Sequence, residues 1–168
     1  MKKFIVTMAL ALVSFGTSAS ETERENLEFY GEHCRVYDEV NVWTDQTRYV
    51  LKCGDSIWSN GGLYLIVSDM KVKSVVIHED DGLFVTQSNA GQEVATRFDK
   101  KEIQKFEYSN DEWEINNGSN VFEYLLNELA ISNRLVILIN DETQNINLKG
   151  SSNAVVDFKQ RIEHLNII

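Results

Sequence analysis

The order of apolar and polar positions alternates over much of the chain at the period of a β-strand. Cys34 to Trp43 sets Val36, Val40 and Val42 on one side, and Arg48 to Cys53 carries Tyr49, Val50 and Leu51. The polar residues Thr44, Asp45, Gln46 and Thr47 between them suit a reversal, so the two runs predict an antiparallel pair. Asn60-Gly61-Gly62 is a turn signal, after which Leu63–Val67 and Lys71–His78 read as a second hairpin through Ser68, Asp69 and Met70. Further short strands are predicted at Leu83–Thr86, Glu93–Phe98 and Gln104–Ser109. The charged segment Glu21–Asn26 is expected to be a loose start.

The period then changes. Val121, Phe122, Leu125, Leu126 and Leu129 form one apolar stripe of a helix, with Ser119 as N-cap and Ser132-Asn133 as its stop. Leu135–Ile139, LVILI, is short, apolar and β-branched, and predicts a buried central strand. Asn145–Leu148 alternates, and Val155, Phe158, Ile162 and Leu165 share one face of a closing helix from Asn153 to Leu165. The order predicts an α+β fold, mainly antiparallel β-sheet with two amphipathic helices in the C-terminal half.

Residues 1–20 have a different pattern. Lys2 and Lys3 precede an apolar run from Phe4 to Phe15, followed by the small residues Gly16, Thr17, Ser18, Ala19 and Ser20. This is the layout of a secretory signal peptide, with cleavage expected after Ala19 or Ser20. The run is shorter than the roughly 20 residues that span a bilayer, so stable membrane insertion after cleavage is not expected. Residues 21–168 are then expected to be a single β-rich domain in the bacterial periplasm. Without Lys2 and Lys3 the chain keeps 14 basic residues against 26 acidic ones, a formal charge of −12. Such a balance repels phosphate backbones and anionic lipid heads, which argues against nucleic acid and favours solubility or a basic protein partner.

Export changes the reading of Cys34 and Cys53, the only two cysteines. In an oxidising compartment an even pair persists as a disulfide. The hairpin expected between them brings the two residues together. A Cys34–His33 dyad is disfavoured, because neighbours on a strand point to opposite faces. No Cys-x-x-Cys is present either.

Little else has the spacing of a reactive site. His78-Glu79-Asp80-Asp81 is dense in ligand types but lacks the alternate spacing of a calcium loop. The histidines at 33, 78 and 164 have no helical partner. No nucleophile elbow, P-loop or dinucleotide fingerprint occurs, so neither catalysis nor a cofactor is expected. Arg97 and Asp99 would share one face of a strand with Phe98 on the other, and with Trp113 would make a recognition patch. Trp43, Trp58 and Trp113 are candidate aromatic anchors for a partner.

These features line up in a familiar order. The early cysteine pair is followed by Val72–Ile77, Val94–Asp99, Trp113, the helix start Val121-Phe122, Leu135–Ile139 and Asn147–Gly150. This layout resembles the small exported bacterial proteins of the type VI secretion-associated accessory family and, more distantly, the invasion-associated locus B proteins. Segment 145–150 reads NINLKG, without that layout's phenylalanine, and the last helix has no cysteine. The resemblance implies a periplasmic β-rich binding domain with no catalytic residues to carry over. The expected function is thus protein binding, as an accessory of a secretion system. The alternative is an immunity protein or inhibitor that blocks a periplasm-acting toxin or a cell-wall hydrolase.

Overall fold

The computed structural model describes residues 22–56, 61–78, 93–107, 118–139 and 142–167. Leu83–Thr86, Glu79–Asp81, Trp58 and Trp113 lie outside them, as do residues 1–21. The chain is α+β, with two antiparallel sheets and both helices in the C-terminal half.

The first sheet is a meander of β1 (Thr22–Tyr30), β2 (Cys34–Asn41), β3 (Thr47–Cys53), β4 (Gly62–Ser68) and β5 (Lys73–His78), in that spatial order. Its register lines up the inner-face positions of successive strands. Val36 lies opposite Leu51, Leu51 opposite Leu65, and Leu65 opposite Val75, so one row of apolar side chains crosses four strands. A second row runs from Cys34 through Cys53 and Leu63 to Ile77. All of these residues are buried, and they form the sheet's inner face.

The second sheet runs β7 (Gln104–Glu107), β6 (Glu93–Phe98), β8 (Arg134–Ile139), β9 (Glu142–Asn147). β8 is an interior strand, as its composition predicts, but it is covered on one face only. Leu135, Ile137 and Ile139 are buried, whereas Leu138 is 41% exposed. A continuous apolar run does not by itself require two covered faces; the pleat still decides which half meets the core.

Helix α1 (Gly118–Ile131) buries Phe122, Leu125, Leu126 and Leu129. Helix α2 (Ser151–Ile162) buries Ala154, Val155, Phe158 and Ile162, and a short 3₁₀ turn over Glu163–Leu165 continues it. Phe122 and Phe158 meet with ring centroids 6.3 Å apart, which joins the two helices. Tyr124 meets Phe98 of the second sheet edge-on at 6.2 Å. Glu123 pairs with Lys73 of β5, in the first sheet, at 2.5 Å. The inner faces of both sheets and the apolar faces of both helices thus belong to one continuous core.

Two local expectations change. Thr22–Tyr30 is a strand, because pairing with β2 satisfies its backbone although its composition is polar. Ser119 stands inside α1, whose first residue is Gly118, and is not the residue before it. At the start of α2 the turn is built by Gly150, with φ +97° and its Cα packed against the Tyr30–Gly31 backbone, where a Cβ would meet Tyr30 at 3.0 Å.

The centre of the first sheet is buried on its outer face as well. Tyr37 and Val50 are 1% exposed and Lys52 is fully buried. The Lys52 ammonium lies 5.4 Å from the Tyr64 ring centre, and the Arg24 and Arg35 guanidinium groups lie 5.1 Å and 5.3 Å from that of Tyr37. This layer of cations on phenol rings keeps the lysine and arginine stems packed on apolar surface. Burial pushes the Tyr37 phenol up to about 12. It also raises Tyr64, against the opposing pull of Arg35 and Arg24.

Candidate protein-binding surfaces

Cys34 and Cys53 face each other directly across β2 and β3, and they are disulfide-bonded. Both are fully buried, so this bond is a part of the core. It ties the open ends of the hairpin, nineteen residues apart in sequence, while the closed end carries the turn.

That turn places the first of the predicted aromatic anchors. Asn41 organises it: its backbone N–H donates to Gln46 O at 2.9 Å, and its backbone oxygen accepts from Asp45 N–H at 2.9 Å. Its side-chain oxygen accepts from the N–H groups of Trp43 at 2.9 Å and Thr44 at 3.1 Å. Asp45 takes the left-handed conformation, φ +53°, that returns the chain into β3. Trp43 is thereby held at the tip of a hydrogen-bonded loop and is 79% exposed.

The neighbouring hairpin ends at the same edge, because Arg48 of β3 pairs with Ser68 of β4. Its turn is closed by Lys71 N–H to Ser68 O at 2.8 Å, and Lys71 has φ +66°. The two turns are cross-tied. Thr47 N–H donates to the Asp69 carboxylate at 3.0 Å, and Asp69 N–H donates to Thr47 O at 2.9 Å. Gln46 reaches the Met70 sulfur at 3.7 Å. Met70 is 63% exposed, and Val42 and Val72 are also exposed. Two mutually braced turns thus carry four exposed large apolar side chains at one end of the sheet. Isolated exposed hydrophobics need no explanation, but a group of them on one rigid edge does.

Arg97 and Asp99 are not brought together. β6 ends at Phe98, and Asp99 turns into the left-handed region at φ +48°. Its carboxylate accepts the Asn133 N–H at 3.1 Å and caps the link from α1 to β8. Arg97 is exposed and donates to Lys101 O at 3.1 Å. Each has local structural work, and Phe98 between them is core. The expected face shared by the two was lost when the strand stopped one residue early.

A polar cleft of about 480 Å³ lies between β1, β2 and α2, lined by Asn26, Glu28, Tyr30, Asp38, Asp157 and Arg161. Arg161 donates to Asp157 at 2.9 Å and to Asp38 at 3.1 Å. Burial lowers the Arg161 pKa, but the Asp157 and Asp38 hydrogen bonds outweigh it and raise the value. Asn26 donates to the other Asp38 oxygen at 2.7 Å. Sequence reasoning missed this cleft; its members come from three separate segments, and none has motif spacing. Among the described residues no group of histidine, cysteine and carboxylate side chains is arranged to hold a metal ion. No helix of the described residues is long and apolar enough to cross a membrane.

No protein-family model, no curated protein and no solved structure matches this chain.

Proposed function

We propose that this chain is an exported periplasmic binding protein without catalytic activity, and that the Trp43 tip is the anchor by which it holds a protein partner. One observation carries the reading: a tryptophan 79% exposed on a turn that is hydrogen-bonded in advance. Aromatic anchors dominate binding where the free protein already holds them in place, because little ordering entropy is then lost. Met70, Val42 and Val72 supply the apolar rim. A role as an accessory of a secretion apparatus agrees with the resemblance noted above.

The acidic balance of the chain supports a second reading, an immunity protein or inhibitor of a basic toxin or cell-wall hydrolase. Salt separates the two. Association with a basic enzyme slows steeply as ionic strength rises, whereas docking through the apolar side chains of the tip does not.

The test is site-specific photo-crosslinking in the periplasm from position 43, with exposed Gln160 as control. A single adduct from position 43 is expected, followed by direct binding of the purified partner that Trp43→Ala weakens by at least tenfold. Trp43→Ala should leave the thermal midpoint unchanged. Identical adducts from both positions, or unchanged affinity in Trp43→Ala, would overturn the reading.

A further inference from the structure

We propose that the open edge of β1 is a strand-addition site for an extended, lysine- or arginine-rich segment of a protein partner. This rests on the binding-protein reading, but it uses a different surface from the tip.

β1 is the outermost strand of its sheet, and no described strand pairs with its other edge. Residues 23–29 are all exposed. An edge of this kind presents a row of backbone donors and acceptors, which an incoming strand satisfies. The charge selects the incomer. Glu23, Glu25 and Glu28 are exposed, while the one cation of the strand, Arg24, faces Glu39 at 3.7 Å. Beside the strand the cleft adds Asp38 and Asp157, which share the single guanidinium of Arg161. With Glu28, three carboxylates line the cleft against one cation.

The geometry favours an extended segment over a lone cation. A strand added to β1 lies about 4.8 Å beyond it, and alternate side chains then point to the helix side, where the cleft is. A lysine or arginine at every second position would place its charge over Glu28 and Asp157. A second copy of this chain is disfavoured as the occupant. Pairing β1 with itself brings together two strands that each carry three glutamates against one arginine, which repel.

The probe is a fluorescent ten-residue peptide that alternates lysine with valine or threonine, added to the purified oxidised protein. Saturable binding is expected, weakened at least tenfold by Glu28→Lys and by Glu25→Lys, both exposed positions that leave the core untouched. The same peptide with N-methyl groups on alternate backbone nitrogens should also bind at least tenfold more weakly, since its charge is intact but its pairing edge is blocked. Equal binding of the methylated peptide would mean adsorption by charge alone and overturn the proposal. Absence of binding, or indifference to the β1 substitutions, would overturn it too. Trp43→Ala should leave peptide affinity unchanged. If Trp43→Ala abolishes binding while the β1 variants keep it, the edge proposal falls and the tip reading stands.

Discussion

Replacing both Cys34 and Cys53 with alanine separates a structural bond from a reactive one. The bond closes a loop between residues nineteen apart. In the chain-entropy account a loop of that length contributes about 3 kcal/mol, by restricting the unfolded chain. Both sulfurs are fully buried, so their removal leaves a small void worth on the order of 1 kcal/mol more. The expected loss is therefore about 4 kcal/mol. With a urea dependence of about 2 kcal/mol per molar, the unfolding midpoint falls by about 2 M. Alanine is the right replacement, because a serine hydroxyl would add an unmet hydrogen-bonding need in the core. The assay is urea unfolding followed by tryptophan fluorescence and by circular dichroism. A loss below about 1 kcal/mol would refute the staple, since β2–β3 pairing alone would then be holding the ends. The variant, kept where it is folded, should also bind a partner as the unaltered chain does. Loss of binding in a folded variant would mean that the cysteines themselves act.

Phe158→Ala removes the ring through which α2 meets Phe122 and should cost about 3–5 kcal/mol by chemical denaturation. Gly62→Ala places a Cβ 2.3 Å from Cys53 O at φ +126°, so a loss of about 3 kcal/mol or a failure to fold is expected in the same assay. The Tyr37 phenol ionises near 12 in the folded chain against 10.0 unfolded, so the native state holds the extra proton between those values. Stability is intact below pH 10 and falls as pH rises toward 12, by about 1.4 kcal/mol per unit. Tyr37→Phe should flatten that fall in urea midpoints taken at pH 9 and pH 11.

Most of the fold was legible because its strands are short apolar or alternating runs bounded by turn residues. Val36 sits in an alternating segment, whereas Leu51 and Leu65 lie in the continuous apolar runs YVL and LYLIV, where pairing with the neighbouring strands decides which residues face the core. The helices were equally plain from their stripes. β1 was not, because Thr22–Tyr30 has no buried alternating row; what makes it a strand is the edge of β2, which lies elsewhere in the sequence. The burial of Lys52 was hidden for a similar reason. A lysine reads as solvated until Arg35, Tyr37 and Tyr64 are seen stacked on the same face. For the candidate surfaces the decisive quantities were turn conformations. Trp43 could be named as an anchor by residue type, but its exposure follows from how Asn41 wraps the loop. Asp99 could not be kept beside Arg97, because a single left-handed residue took it off the strand.

The two candidate surfaces meet at one end of the sheet. Thr22, the first residue of β1, pairs with Asn41, the residue that organises the Trp43 turn. A segment lying along the open edge of β1 therefore finishes beside the tip. The strand is nine residues long, and at about 3.3 Å per residue the edge runs about 30 Å from the turn to Tyr30. Glu28, near the far end, is consequently well over 10 Å from Trp43 along that edge. Substitutions so separated, with no shared partner atoms, change binding additively. If one partner spans both surfaces, Trp43→Ala and Glu28→Lys should each weaken it, and the double variant should lose the sum of the two free energies to within about 0.5 kcal/mol. A double variant no weaker than the worse single one would show that the surfaces do not act on the same partner independently, and the continuous interface would have to be abandoned.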